Sequence, residues 1–259
     1  MNTIQYLAST SIPQAQQWLH DHEQAKILAG GMTLIPSMKH RLIAPEQLID
    51  IAKLADLQQV VAHDHHLQIG AAVTHQAVAD SEVVVKAIPG LAQLAAGIGD
   101  PQVRARGTIG GSVANNDPAA DYPAALLALG ATVVTTQREL HADDFFLGMF
   151  STALVQDEII TAVRFPIPLR SAYAKFRHPA SGYAMAGVYI AQFASGFQVA
   201  VTGAADGVFR WSEAEAALPE QRTNIKLQHP GLLDDLHAPA AYRAQLASVM
   251  LDQAFKHLI

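Results

Sequence analysis

The stretch GDPQVRARGTIGGSVANNDPAADYPAALLALGA, residues 99–131, decides the reading of this chain. Between positions 100 and 121 it is punctuated by Gly107, Gly110, Gly111 and Pro118, and its small side chains offer little with which to build a core. A backbone this bare usually approaches something closely. A second glycine pair, Gly30 with Gly31, stands in KILAGGMTLIPSMKHRL, residues 26–42. Each pair follows an apolar residue and leads into a small polar one, Thr33 or Ser112. A phosphate can be held without a basic patch by backbone N–H groups aimed at it, ideally at a helix start, and glycine permits that approach because no Cβ intervenes. Two such loops suit a pyrophosphate better than one. Taken alone, a Gly-Gly pair is more often only a turn, and neither loop has the Gly-Lys-Ser/Thr ending or the G-x-G-x-x-G spacing of the common nucleotide motifs.

Composition narrows the partners. Of 259 residues, 50% are hydrophobic and 15% charged, the balance of a folded globular chain with room for one large domain or two smaller ones. The net charge of -6 and the lack of any run of lysines and arginines argue against nucleic acid. The start lacks a basic patch followed by an apolar run, and nothing approaches eighteen consecutive apolar residues, so a cytoplasmic location without stable membrane insertion is expected. With no cysteine, the chain cannot ligate an iron-sulfur cluster through thiolates or tether a flavin through sulfur, so any cluster belongs on a partner. The densest histidine group, His63, His65 and His66 with Asp64, lies between two apolar segments and reads as a hairpin turn, not a metal site.

Outward from the glycine loops, the spacing predicts a strand at 4–7, a helix capped by Ser11, and a strand at 26–29 running into Gly30. A helix-like stretch runs from Thr74 to Val85, a second helix covers 90–96, and a third follows Tyr122. Strands are expected at 132–136 and 159–165, the latter ended by Pro166 and Pro168, the best candidate boundary. Beyond it come antiparallel strands with a turn at Ser195 and Gly196. A terminal helix follows, with Tyr242, Leu246, Val249, Met250, Ala254 and Leu258 on one face.

The two loops, together with DEIITAVRFP (157–166), YAKFRHPASGYAMAGV (173–188) and DDLHAPAAYRAQL (234–246), closely resemble the FAD-binding medium subunit of the molybdopterin dehydrogenases, the carbon monoxide and xanthine dehydrogenase group. The resemblance covers nearly the whole chain in order. It implies an α+β fold: a two-part PCMH-type FAD-binding domain over residues 1–168, divided near position 55, then a small antiparallel-sheet-plus-helix domain over 169–259. It implies non-covalent FAD, with its pyrophosphate on Leu28, Ala29, Gly30, Gly31, Met32, Thr33 and Leu34 and on Thr108, Ile109, Gly110, Gly111 and Ser112. Asp121 matches an acid that contacts the cofactor, Ile98 an apolar residue that flanks it, and Ile160 and Lys175 positions near the flavin ring. Asn115 and Asn116 either support the second loop or touch the cofactor, and Asp117 accompanies them.

Two roles stay open at Asp121, cofactor contact or cap of the helix that follows. Lys175 and Arg177 are either cations that favour the reduced flavin or exposed strand charges. Met32 stands where relatives carry a polar or small residue, and residues 208–229 match poorly. The resemblance also implies partners: a large subunit with the molybdenum cofactor and a small subunit with 2Fe-2S clusters, assembled as a dimer of heterotrimers. No catalytic acid, base or metal ligand is expected on this chain, whose work would be to pass electrons to an external acceptor. The alternative is a stand-alone FAD-dependent oxidase or reductase on the same scaffold, for which the residues after Pro166 leave little room for a substrate domain. A non-catalytic scaffold with relic loops is the third reading.

Overall fold

Three sheets of three or more strands follow one another along the chain in the computed structural model, which describes residues 4–258. The first is built from β1 (Gln5–Ala8), α1 (Ile12–Asp21), β2 (Ala25–Leu28), α2 (Leu34–Lys39) and β3 (Gln47–Asp50). Its strands are parallel in the order β1-β3-β2, so both connections are helical crossovers and the loops after each strand gather at one edge. Ser11 caps α1 by accepting the Gln14 N–H, and α1 buries Ala15 and Leu19 beside Ile49. By contrast, α2 buries none of its side chains.

The second unit opens with the hairpin β4 (Val60–Ala62) and β5 (His66–Gly70), whose turn holds His63, Asp64 and His65. Among the described residues no group of three or more His, Asp or Glu is arranged to hold a metal. Six helices follow: α3 (His75–Asp80), α4 (Glu82–Ala87), α5 (Pro89–Ala96), α6 (Pro101–Arg106), α7 (Ile109–Asn115) and α8 (Tyr122–Leu129). The expected single helix from Thr74 divides because Ser81 leaves helical geometry and caps α4 with its hydroxyl. The stretch that seemed too bare for a core instead forms α6 and α7, and Ile109 and Val113 are fully buried.

The remaining elements of this unit are β6 (Thr132–Thr135), β7 (Glu139–His141), α9 (Ala142–Phe145), β8 (Phe146–Gly148), β9 (Ser151–Thr152) and β10 (Ile160–Pro166). They complete an antiparallel sheet ordered β4-β5-β10-β6-β7, with β8 and β9 as a separate hairpin. The third sheet, antiparallel, is β11 (Arg170–Arg177), β12 (Ala184–Phe193), β13 (Gly196–Thr202) and β14 (Phe209–Arg210). It is flanked by α10 (Ser212–Ala217) and α11 (Ala240–Lys256), so the poorly matching segment still supplies an edge strand and a helix.

Every residue of α8 is buried, which fits a helix that is apolar all round and packed on all sides. It lies in the main core between the second sheet and the third, alongside Val163, Phe165, Tyr189 and Ala200. That position fixes its first turn, and with it Asp121, at the junction of the two sheets. The terminal helix is rotated from its expected face: Leu246, Met250 and Ala254 are buried, but Tyr242 and Val249 are exposed. The cause is Arg243. Its guanidinium turns inward, donates to the carbonyls of Met185 and Gly203 at 3.2 and 2.9 Å, and pairs with Asp235.

Candidate functional site

After β2 the chain turns through Gly30 and Gly31 into α2. The N–H groups of Gly30, Gly31, Met32, Thr33 and Leu34 donate to no acceptor among the described residues, and Thr33 places no side-chain cap on the helix. Five successive amides left open at a helix start form a receptor for an anion. Gly31 has φ +71°, a left-handed conformation that favours glycine. Gly30 is glycine for another reason: a Cβ there would stand 2.2 Å from the carbonyl oxygen of Arg106 and 2.7 Å from the Cα of Gly107. The two glycine loops therefore touch backbone to backbone.

The second loop is organised differently. The Ile109 and Gly110 N–H groups donate to the carbonyls of Val73 and Ala71 at 3.1 and 2.9 Å. The Thr108 hydroxyl accepts from Gly111 N–H, capping α7, and Ser112 N–H bonds to Thr108 O. Only the Thr108 amide is without a partner among the described residues of this loop. A Cβ on Gly110 would fall 2.5 Å from that of Ala71, whereas one on the exposed Gly111 would meet only the Thr108 hydroxyl, at 2.9 Å. Of the four paired glycines, then, Gly30 and Gly110 are held against neighbouring backbone, whereas a Cβ on Gly31 or Gly111 would meet side chains only, those of Leu28 and Ile35 at 3.1 Å and the Thr108 hydroxyl at 2.9 Å.

Asp121 stands at the N-cap position of α8, but its side chain makes no capping hydrogen bond. Its carboxylate accepts hydrogen bonds from the Tyr173 hydroxyl and, at 2.8 Å, from the Lys175 ammonium; the Asp121 and Lys175 side chains are each only 5% exposed. Burial pushes the Asp121 carboxyl up, while the charge and hydrogen bond of Lys175 and the Tyr173 hydroxyl oppose that shift. Tyr173 is driven well above the usual phenol range, first by burial and then by the adjacent carboxylate. Gly187 faces Lys175 across the sheet and leaves room for the Tyr173 ring, since a Cβ there would collide with the hydroxyl. Lys175 is therefore a buried, compensated charge. Arg177, two residues on, is exposed and has no ion-pair or hydrogen-bond partner among the described residues.

The other expected site residues lie around these groups. Ile98 is half-buried, and its carbonyl accepts from Arg104 at 3.1 Å. Ile160 opens β10 and packs within the main core at 5% exposure. Leu28 and Ala29 are half-buried, and Met32 is exposed. Asn115 is half-buried, whereas its neighbour Asn116 is buried and left-handed (φ 44°), with its amide donating to the Gly148 and Ser151 carbonyls, each at 2.8 Å. Asn116 is thus a structural pin for the β8–β9 hairpin. Burial raises the Asp117 carboxyl, against the Ala119 N–H that donates to it. Asp117 lines a cavity of about 630 Å³ with Phe150, Tyr183 and Arg243.

Tyr173, Gly187 and His75 escaped the sequence reading. Tyr173 was within reach, because residues two apart on a strand share a face and Lys175 had been singled out. Nothing local marks His75, whose ring lies under Gly107 and beside Tyr122 and whose backbone N–H donates to Gly107 O. Burial, then Arg104, lowers its pKa to about 4.

The family described as the FAD binding domain in molybdopterin dehydrogenase matches residues 2–168. The nicotine 6-hydroxylase medium subunit of Paenarthrobacter nicotinovorans is 33% identical over 96% of this chain and 94% of its own. The carbon monoxide dehydrogenase medium chain of Afipia carboxidovorans is 33% identical over 90% and 88%. Among solved structures, carbon monoxide dehydrogenase from Oligotropha carboxidovorans superposes with a TM-score of 0.90 at 32% identity, covering 98% of this chain and 96% of the other.

Proposed function

The chain belongs to the family of FAD binding domains in molybdopterin dehydrogenases, and from that premise we propose how it holds FAD and what the holding serves. It is an FAD-binding medium subunit, the flavoprotein component of an oxidoreductase complex of the molybdenum hydroxylase type. The single observation that carries its own site is the run of five open amides from Gly30 to Leu34. A pyrophosphate brings acceptor oxygens and negative charge to a place where the protein has left donors unpaired, so the residues fit the group.

In this reading Leu28, Ala29, Gly30, Gly31, Met32, Thr33 and Leu34 cradle the pyrophosphate. Thr108, Ile109, Gly110, Gly111 and Ser112 form the opposite wall, with Gly111 as the point of closest approach. Asp121 and Lys175 mark the flavin end, flanked by Ile98, Asn115, Asp117 and Ile160. Bound FAD supplies the redox chemistry, receiving electrons from iron-sulfur clusters of a partner and giving them to an external acceptor. The protein's own part is electrostatic and steric. Because Asp121 neutralises Lys175, the pair orients polar ring atoms with little net charge, and the uncompensated cation nearest to it in sequence is Arg177.

The relatives are medium chains and FAD subunits of multi-subunit dehydrogenases. We take the partners here to be a molybdenum-cofactor large subunit and a 2Fe-2S small subunit, assembled as a dimer of heterotrimers in the cytoplasm. Two α+β parts, 1–55 and 56–168, would hold FAD between them, and 169–259 would form the third domain. Titration of the purified apo-chain with FAD tests the reading. Stoichiometric uptake with absorbance at about 450 nm is expected for an oxidised flavin, and Gly31→Ala should weaken it. Absence of uptake by the intact complex would overturn it.

A further inference from the structure

The backbone does not require glycine at position 107. Its φ of -59° and ψ of 141° lie in the extended region open to any residue. What excludes a side chain is a neighbour: a Cβ there would meet the ring of His75 at 2.6 and 2.8 Å, and the Val103 carbonyl oxygen at 3.0 Å. Gly30 closes on the same residue, since its own Cβ would stand 2.7 Å from the Gly107 Cα. Imidazole, second loop and first loop are therefore in contact in that order.

The ring has firm support. His75 is 5% exposed, and its ring centroid lies 5.4 Å from that of Tyr122, which is fully buried at the start of α8 beside Asp121. Residues 71–75 keep register with the second loop: Ala71 O accepts from Gly110 N–H, Val73 O accepts from Ile109 N–H, and His75 N–H donates to Gly107 O at 2.9 Å. Thr74 is bridged to Thr108 in the same run. The ring carries no charge near neutrality, because burial, then Arg104, lowers its pKa to about 4. Its influence on a phosphate is therefore one of position.

We propose that His75 is a positioning residue for the cofactor: its ring is the spacer that sets how far residue 107 stands out toward Gly30, and with it the gap between the open amides at 30–34 and the wall at Gly111. This rests on the functional reading above. The backbone bonds fix the register of the second loop, and the ring fixes its distance from the first. That distance matters because both walls meet the pyrophosphate with backbone. An amide N–H cannot extend or swing as a lysine can, and such hydrogen bonds weaken beyond about 3.2 Å. A spacer in contact with both Tyr122 and Gly107 also ties the phosphate loops to the end of the site at Asp121.

The test measures FAD and ADP affinity of the full chain carrying His75→Ala, Gly107→Ala or both, with urea unfolding beside each titration to set the folded fraction. Each single variant should bind both ligands about tenfold more weakly, the worth of roughly one misaligned amide-to-phosphate hydrogen bond. In the double variant the new methyl at 107 occupies space that the imidazole gave up, so affinity should return to within about threefold of the parent. A merely structural histidine would lower the unfolding midpoint and leave the affinity of the folded fraction unchanged. His75→Asn removes less of the ring and carries the same comparison should His75→Ala not fold. Parent-like affinity in both single variants, or a double variant weaker than either, would overturn the proposal and leave the functional reading intact. Absence of FAD uptake by the intact complex of unaltered chains would overturn both.

Discussion

Replacing Lys175 by methionine removes the cation that faces Asp121 while keeping most of the side chain's volume. Both members of the pair are 5% exposed, so a carboxylate would be left buried with the Tyr173 hydroxyl as its remaining side-chain donor. Removing one partner of a buried pair costs about 3–5 kcal/mol, which lowers Tm by about 6–20 °C for a chain of this size. Asp121→Asn together with Lys175→Met leaves no charge behind, and that double variant should recover most of the loss. Acid should also relieve the single variant. Burial raises the Asp121 carboxyl above its unfolded value; such a group is stable when protonated and loses stability as pH rises through the raised value. The gap from the parent chain is therefore widest near neutrality and narrows on acidification. Urea unfolding of the parent chain, the two single variants and the double variant between neutral and acidic pH measures each quantity. A gap independent of pH, or a double variant as unstable as the summed single variants, would refute the buried-pair account.

Gly30→Ala forces a Cβ to within 2.2 Å of the Arg106 carbonyl oxygen, so a loss of about 1–3 kcal/mol in denaturant unfolding should accompany weaker FAD binding. Gly111→Ala meets only the Thr108 hydroxyl, which must shift from its cap on α7; it should cost no more than about 1 kcal/mol in unfolding, less than Gly30→Ala, and show its main effect in FAD titration. His75 is held neutral down to a pKa of about 4, so the unfolded state binds a proton that the native state refuses as pH falls through 6.5. That single group should remove about 2 kcal/mol of stability between pH 7 and 5, a loss absent from His75→Gln and readable as a difference in urea midpoints. Asn116→Gly keeps the left-handed backbone but loses two hydrogen bonds to the β8–β9 hairpin, so faster amide exchange there, with α7 still protected, is the expected signature.

Much of the architecture was legible because it rests on local signals. The Ser11 cap, the hairpin around His63–His66 and the antiparallel strands after Pro168 all appear as read. Errors fell where tertiary contacts outweigh local preference. Small residues at 100–121 suggested bare backbone, yet Ile109 and Val113 sufficed to anchor a short helix against Ala71 and Val73. The face of α11 differs from the apolar stripe expected because Arg243 lies inside, its guanidinium donating to two carbonyls and to Asp235.

By itself the sequence determined the chemistry on offer: glycine loops without a basic patch, no cysteine for a cluster, and the family to which those loops belong. Only the tertiary structure decided what each group does there. A glycine looks the same in sequence whether it spares a phosphate or a neighbouring carbonyl, and Gly30 and Gly111 are told apart only by what a Cβ would touch. Likewise Asp121 and Lys175 are separated by more than fifty positions, and a charge is a surface feature or a buried pair according to a neighbour that strand pairing and the burial of α8 bring to it. Local composition encodes propensity and chemical type; distance, burial and compensation exist only once the chain has closed on itself.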